Sequence, residues 1–170
     1  MLRAVSHSHG GDGQPAGTIR LDHAARHLRR KLVTTDQGEE IMVDLPEPVL
    51  FADGDRLVLA DGRTVAIVAA EEELYEVIPG PACPLRHLSW HLGNRHLPAQ
   101  IDEDRILIQR DHVIRAMLEG LGASVRAVVA RFQPVHGAYH AHGHDHGHSH
   151  AHHHDHGHAH GHGHHHHHHD

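Results

Sequence analysis

The sequence predicts an α+β chain: a small N-terminal β-domain, then a ferredoxin-like βαββαβ domain, then a disordered His-rich tail. Three observations carry that prediction. Up to about Ala70, short apolar runs are punctuated by Gly turns. From Leu74 to Phe132 the pattern alternates between strand and helix periodicity. The final stretch, His136 to Asp170, holds 20 of the chain's 28 histidines and almost nothing apolar. The expected domains are residues 1–72, β-rich, 73–135, ferredoxin-like, and the tail, 136–170.

Residues 6–17 (Ser-His-Ser-His-Gly-Gly-Asp-Gly-Gln-Pro-Ala-Gly) are turn-rich and read as a mobile loop, on which His7 and His9 either stay solvated or capture metal. Lys31 to Thr35, Asp36-Gln-Gly38 and Glu39 to Leu45 form one hairpin. Leu57 to Ala60 and Arg63 to Val68 form a second around Asp61-Gly62, the signal of a two-residue turn. Pro46 and Pro48 are expected to break the strand between them. The run Arg26-His-Leu-Arg-Arg-Lys31 is either a solvated face or a dock for an acidic partner. Glu71-Glu-Glu73, polar and placed where the pattern changes, marks the domain boundary.

Beyond it, Leu74 to Ile78 is a strand ended by Pro79-Gly-Pro81. Pro84 to Leu92 is a helix, with Pro in its first turn and Gly93 as its stop. Ala99 to Asp102 and Arg105 to Gln109 are strands around Asp102-Glu-Asp104. Asp111 to Leu121 is a second helix with Val113, Ile114, Met117, Leu118 and Leu121 on one face and Gly122 after it. Ser124 to Phe132 is the last strand. This order is the split βαβ arrangement, and a sheet with one uncovered face invites a partner or a dimer.

Composition narrows the function. The formal net charge is −7, and all 15 Lys and Arg precede residue 132. No concentrated basic face is available for nucleic acid. A single cysteine, Cys83, excludes a disulfide framework and a thiolate metal cage; it reads as a packed thiol. No stretch approaches the ~20 apolar residues of a membrane span, and Met1-Leu-Arg-Ala-Val-Ser-His7 does not resemble a signal peptide. The expectation is a cytoplasmic protein.

The tail cannot build a core, and ordering its backbone costs roughly 1–2 kcal/mol per residue, so it stays disordered unless a ligand orders it. What it supplies is imidazole, the commonest metal ligand in proteins. His136, His140, His142, His144, His146, His148, His150 and His152 are therefore candidate ligands. His164 to His169 has the length of a purification tag, but the enrichment begins at His136, so a tag alone does not make the tail.

In the body, His87 and His91 lie one turn apart on the first helix, outside the Leu85, Leu88, Leu92 face. Their spacing is a chelating one, but His87-Leu-Ser-Trp-His91 lacks the glutamate that a zinc hydrolase helix uses as its base. Surface histidines are the other reading. Trp90 faces neither leucine row and is a candidate for a subunit interface. His96 follows Gly93-Asn-Arg95 on the turn after the helix.

Trp90-His-Leu-Gly-Asn-Arg-His-Leu-Pro-Ala-Gln-Ile101, followed by Asp111-His-Val-Ile-Arg-Ala-Met-Leu118 and a His-rich terminus, resembles the urease accessory nickel metallochaperones. The resemblance covers essentially the whole chain. It implies a homodimer in which His96 meets its symmetry mate and binds Ni2+ between the subunits. Two imidazoles on a two-fold axis leave coordination positions open, so the ion can be held and released. It also implies delivery through a urease accessory GTPase to the apo-urease maturation complex, as a carrier and not as an enzyme. The chain has no phosphate-cradling Gly-x-x-x-x-Gly-Lys-Ser/Thr loop, so nucleotide dependence falls to a partner. Family members often carry a second histidine two residues before the one in Asp111-His112; here that residue is Arg110. His112 thus stands alone, either as a further ligand or as a helix-start residue. Zn2+ and Cu2+ also suit such imidazoles in vitro, Cu2+ more tightly than Ni2+. The rival reading is a nickel, zinc or copper buffer or storage protein with no dedicated transfer partner.

Overall fold

The computed structural model describes residues 1–136, in which ten strands and two helices form two sheets. The first sheet uses β1 (Leu2–Ser8), β2 (Gly17–Leu21), β3 (His27–Thr34), β4 (Glu40–Leu50), β5 (Arg56–Leu59) and β6 (Thr64–Ala69) in the order β2-β6-β5-β1-β4-β3. Both expected hairpins are present, β3 against β4 and β5 against β6. The pairs β1–β4 and β2–β6 are parallel, a long-range feature that no local turn signal announces. Alternate residues point inward, so Ile41, Val43 and Leu45 of β4 meet Leu57, Leu59, Val65 and Ile67 in one core with Phe51. The sheet curls until its two edges touch, where Asp36 N–H donates to the Thr18 carbonyl at 2.7 Å.

Four local expectations change. Ser6 to Ser8 are strand, and the loop after them is clasped by Arg56, whose guanidinium donates to the Asp12 and Gly13 carbonyls at 3.3 and 2.8 Å. β4 runs through Pro46 and Pro48 instead of breaking. Its pairing with β1 ends at Val43, and its register with β3 skips there, so the two missing N–H groups interrupt no ladder. Asp61-Gly62 belongs to a three-residue loop: Leu59 N–H bonds to Arg63 O, and Gly62, at φ 86°, takes the left-handed position. Arg26 leaves the basic run altogether and is buried, donating to the carbonyls of Phe51 and Phe132 and so tying the first sheet to the second.

The second sheet comprises β7 (Glu71–Ile78), β8 (Ala99–Ile101), β9 (Ile106–Gln109) and β10 (Ser124–Arg131), all antiparallel, in the order β10-β7-β9-β8. Two helices, α1 (Leu85–Gly93) and α2 (His112–Gly120), complete the α+β, ferredoxin-like arrangement. Glu71-Glu-Glu73, where the sequence marks the boundary, forms the start of β7, paired with Arg131, Ala130 and Val129. Leu88 and Leu92 of α1 and Leu118 of α2 pack on Val77, Ile106 and Ile108 together with Cys83, which is buried. Val113 departs from the expected apolar face of α2 and is 62% exposed, since at the helix start it points past the sheet. Glu76, also buried, is held between Arg105 and Arg126, which keep its carboxyl below the usual range, Arg126 contributing most. Among the described residues, no helix is long and apolar enough to cross a membrane.

Candidate metal centre

His96 owes its position to the way α1 ends. Arg95 N–H bonds to Leu92 O at 3.1 Å, His96 N–H to Gly93 O at 3.0 Å and Leu97 N–H to Leu92 O at 3.4 Å. The last two bonds form the pattern of a Schellman stop, with Leu97 folding back onto the core that contains Leu92. The stop therefore falls on His96, not on Gly93 as the sequence suggested. Gly93 lies inside the helix and no atom would obstruct a side chain there. His96 has φ 56°, the one positive φ among the described residues that does not belong to glycine. Glycine is the usual occupant of this position, and a side chain there costs about 1–2 kcal/mol. The strained backbone presents an exposed imidazole at the end of a rigid helix.

Pro98 then ends the turn, and Gln100 anchors β8 beyond it. Its Oε1 accepts from Gln133 N–H at 2.9 Å, while its Nε2 donates to Asp102 at 3.1 Å. Val135 N–H bonds to Ala99 O at 2.9 Å. The chain after β10 is thus led to the start of β8, three residues from His96, before it reaches His136. His136 is exposed and shares a small cavity with His23, Arg26 and Phe51 at the junction of the two sheets. There His23 is held below the ordinary imidazole range, first by burial and then by the Arg26 charge.

His112 opens α2 directly after Asp111, whose carboxylate caps the helix by accepting from Val113 and Ile114 N–H at 2.8 and 3.0 Å. It is exposed. Leu97 and Asp111, the neighbours of His96 and His112, line the same groove of about 150 Å³ with Pro98 and Ile114. The structure thus brings the segments that carry the two histidines to one groove, though neither imidazole lines it. His87 is exposed and His91 half-buried, its ring 5.1 Å from that of Trp90. Among the described residues, no three His, Cys, Asp or Glu side chains converge on a common point. His140, His142, His144, His146, His148, His150 and His152 lie outside the described residues. Sequence reading missed Arg26 and His23 at the sheet junction and the contact between His9 and Asp55, which are 46 residues apart. No local signal could have revealed them.

Comparison with known proteins fits this organisation. The model of the UreE urease accessory protein N-terminal domain matches residues 1–70, and that of the UreE C-terminal domain matches residues 72–170. Urease accessory protein UreE of Rhizobium rhizogenes is 58% identical over 143 residues, covering 83% of this chain and 86% of that protein. The Agrobacterium fabrum protein of the same name is 57% identical over 143 residues, 83% of this chain and 89% of the relative. Urease accessory protein UreE 1 of Brucella suis is 57% identical over 128 residues, 75% of this chain and 79% of its own. With both domain models matched in order and such identity over most of its length, the chain belongs to the UreE urease accessory protein family.

Proposed function

We propose that this chain is a nickel carrier for urease maturation. The tail collects Ni2+, and His96, paired with the same residue of a second copy, holds one ion between subunits for transfer. The recipients in this reading are a urease accessory GTPase and the apo-urease complex. Nickel is cargo here, so a useful site binds and also releases. Two imidazoles with the remaining positions on water meet that need better than a closed cage. The observation that supports the reading best is the backbone of His96, an exposed imidazole held at a left-handed helix stop where glycine costs less. The lead of the chain from Gln133 to Val135 toward β8 supports the second half of it, because Val135, just before the first tail histidine, bonds to Ala99, three residues after His96.

The test is nickel titration of the full chain beside a chain ending at Val135, each with and without His96→Ala. Truncation removes several equivalents. One ion per dimer survives in the shortened protein and is lost with His96→Ala. A shortened wild type that binds no nickel overturns the His96 site. Nickel loading that never promotes a complex with the GTPase would instead favour a storage protein, the role that the tail alone could fill.

A further inference from the structure

The N-terminal sheet carries a second arrangement of imidazoles, remote in sequence from His96 and from the tail. His7 is in β1 and His9 follows its last residue, so the strand alternation puts both on one side of the backbone. Their ring centroids are 5.8 Å apart with the planes at 84°. With metal–nitrogen bonds of about 2.0–2.1 Å, two imidazoles on one ion have centroids roughly 4.5–6 Å apart, so this separation suits a shared ion. Each ring is also supported from behind. The His7 ring stands edge-on to Phe51, a fully buried core residue, at 5.6 Å. His9 Nδ1 lies 3.2 Å from Asp55 Oδ1.

Asp55 is an unusual neighbour for a surface histidine. Its side chain is 7% exposed, and its other oxygen accepts from Ala52 N–H at 2.8 Å, so the carboxylate is fixed. A carboxylate facing Nδ1 selects the tautomer that carries its proton there and leaves Nε2 as the free lone pair. That is the carboxylate–histidine–metal relation in which an outer carboxylate fixes the tautomer and orients the ring. The His9 side chain is 82% exposed, so the free nitrogen is accessible. The loop beyond it is pinned by Arg56 on Asp12 and Gly13 and by Ser8 Oγ donating to Gly10 O at 2.8 Å.

We propose that His7 and His9 chelate one borderline divalent transition ion on the N-terminal sheet, with Asp55 positioning His9, independently of His96. Water completes the coordination, since no third ligand side chain converges there among the described residues. Such a two-imidazole site exchanges its ion readily. It gives the N-terminal domain a metal-dependent state of its own.

The probe is Zn2+, diamagnetic and suited to imidazole, titrated into the isotope-labelled full chain at free concentrations set by a chelator buffer. Ring resonances of His7 and His9 and amide resonances from Val5 to Gly10 are followed by NMR. Both rings shift with one midpoint. His7→Gln, an exposed substitution, moves the His9 response to at least tenfold higher free Zn2+. Asp55→Asn weakens it by about 10–100-fold. His96→Ala leaves the midpoint unchanged. Unshifted rings at saturating Zn2+ overturn the proposal, as does a His9 midpoint that His7→Gln leaves in place. A midpoint that moves with His96→Ala overturns the independence of the site.

Discussion

His96 and His112 are both exposed at the ends of helices but are presented in opposite ways. His112 occupies the first position of α2, behind an Asp111 cap that satisfies two helix N–H groups, and its backbone is ordinary helix. Nearly any residue could stand there. His96 stands at φ 56°, where a side chain costs energy that glycine would avoid. The contrast marks where side-chain chemistry has outweighed backbone preference. At His112 the backbone is indifferent to the residue; at His96 it argues against a side chain, and the imidazole is present all the same.

His96→Gly should separate the two demands most clearly. We expect loss of the ion that survives tail truncation, with at least a tenfold drop in affinity for it by calorimetry. The same substitution should leave stability unchanged or raise it by about 1 kcal/mol in urea melts, because glycine adopts the left-handed conformation without strain. A clear loss of stability would mean that the imidazole supports the fold, as an ordinary helix residue does. Asp111→Ala should cost about 1 kcal/mol by removing the α2 cap, measured in the same melts, since the helix start loses both side-chain acceptor bonds. His112→Ala should shift stability by less than about 0.5 kcal/mol. It should also weaken nickel binding by a smaller factor than His96→Gly; an equal loss would make the two histidines equivalent ligands.

Acid provides the control. Arg126 and Arg105 depress the Glu76 carboxyl in the folded state, so the folded protein resists protonation there while the unfolded chain does not. The resulting stability is fully present above about pH 4.3, the ordinary glutamate value, and is lost as pH falls through the lowered folded value. Thermal melts should show that acid limb equally in the wild type and in His96→Gly, and Glu76→Gln should flatten it. Metal loading is expected to fall earlier, as pH drops through about 6.5, because imidazoles must be deprotonated to bind. Loading that is unchanged between about pH 7.5 and 5.5 would argue against histidine ligation.

Much of the fold was legible because its signals are local. The Gly38 turn, the start of α2 at Asp111 and the Gly122 stop each act within a few residues, and each is where the pattern placed it; the Gly62 turn is there too, one residue longer than expected. Periodicity likewise identified Leu88, Leu92 and Leu118 as core, though it misjudged Val113, whose exposure depends on where the helix begins relative to the sheet. The motif around His96 was legible as a family signature, but its stop was assigned to the wrong residue. Glycine is the strongest local cue for a helix end, and only the Leu97–Leu92 hydrogen bond shows that the chain turns three residues later.

Residue patterns alone were thus enough for the element order of the second domain, the two hairpins of the first, the supply of imidazole and the family. Packing between distant segments settled the rest: the parallel pairings of β1 with β4 and β2 with β6, the burial of Arg26 between the sheets and the meeting of His9 with Asp55. It also led the chain, through Gln100 and Ala99, toward the His96 turn. The reason is common to all of these. Each joins groups far apart along the chain, and a free energy that arises only when distant segments pack leaves no mark on the residues beside it.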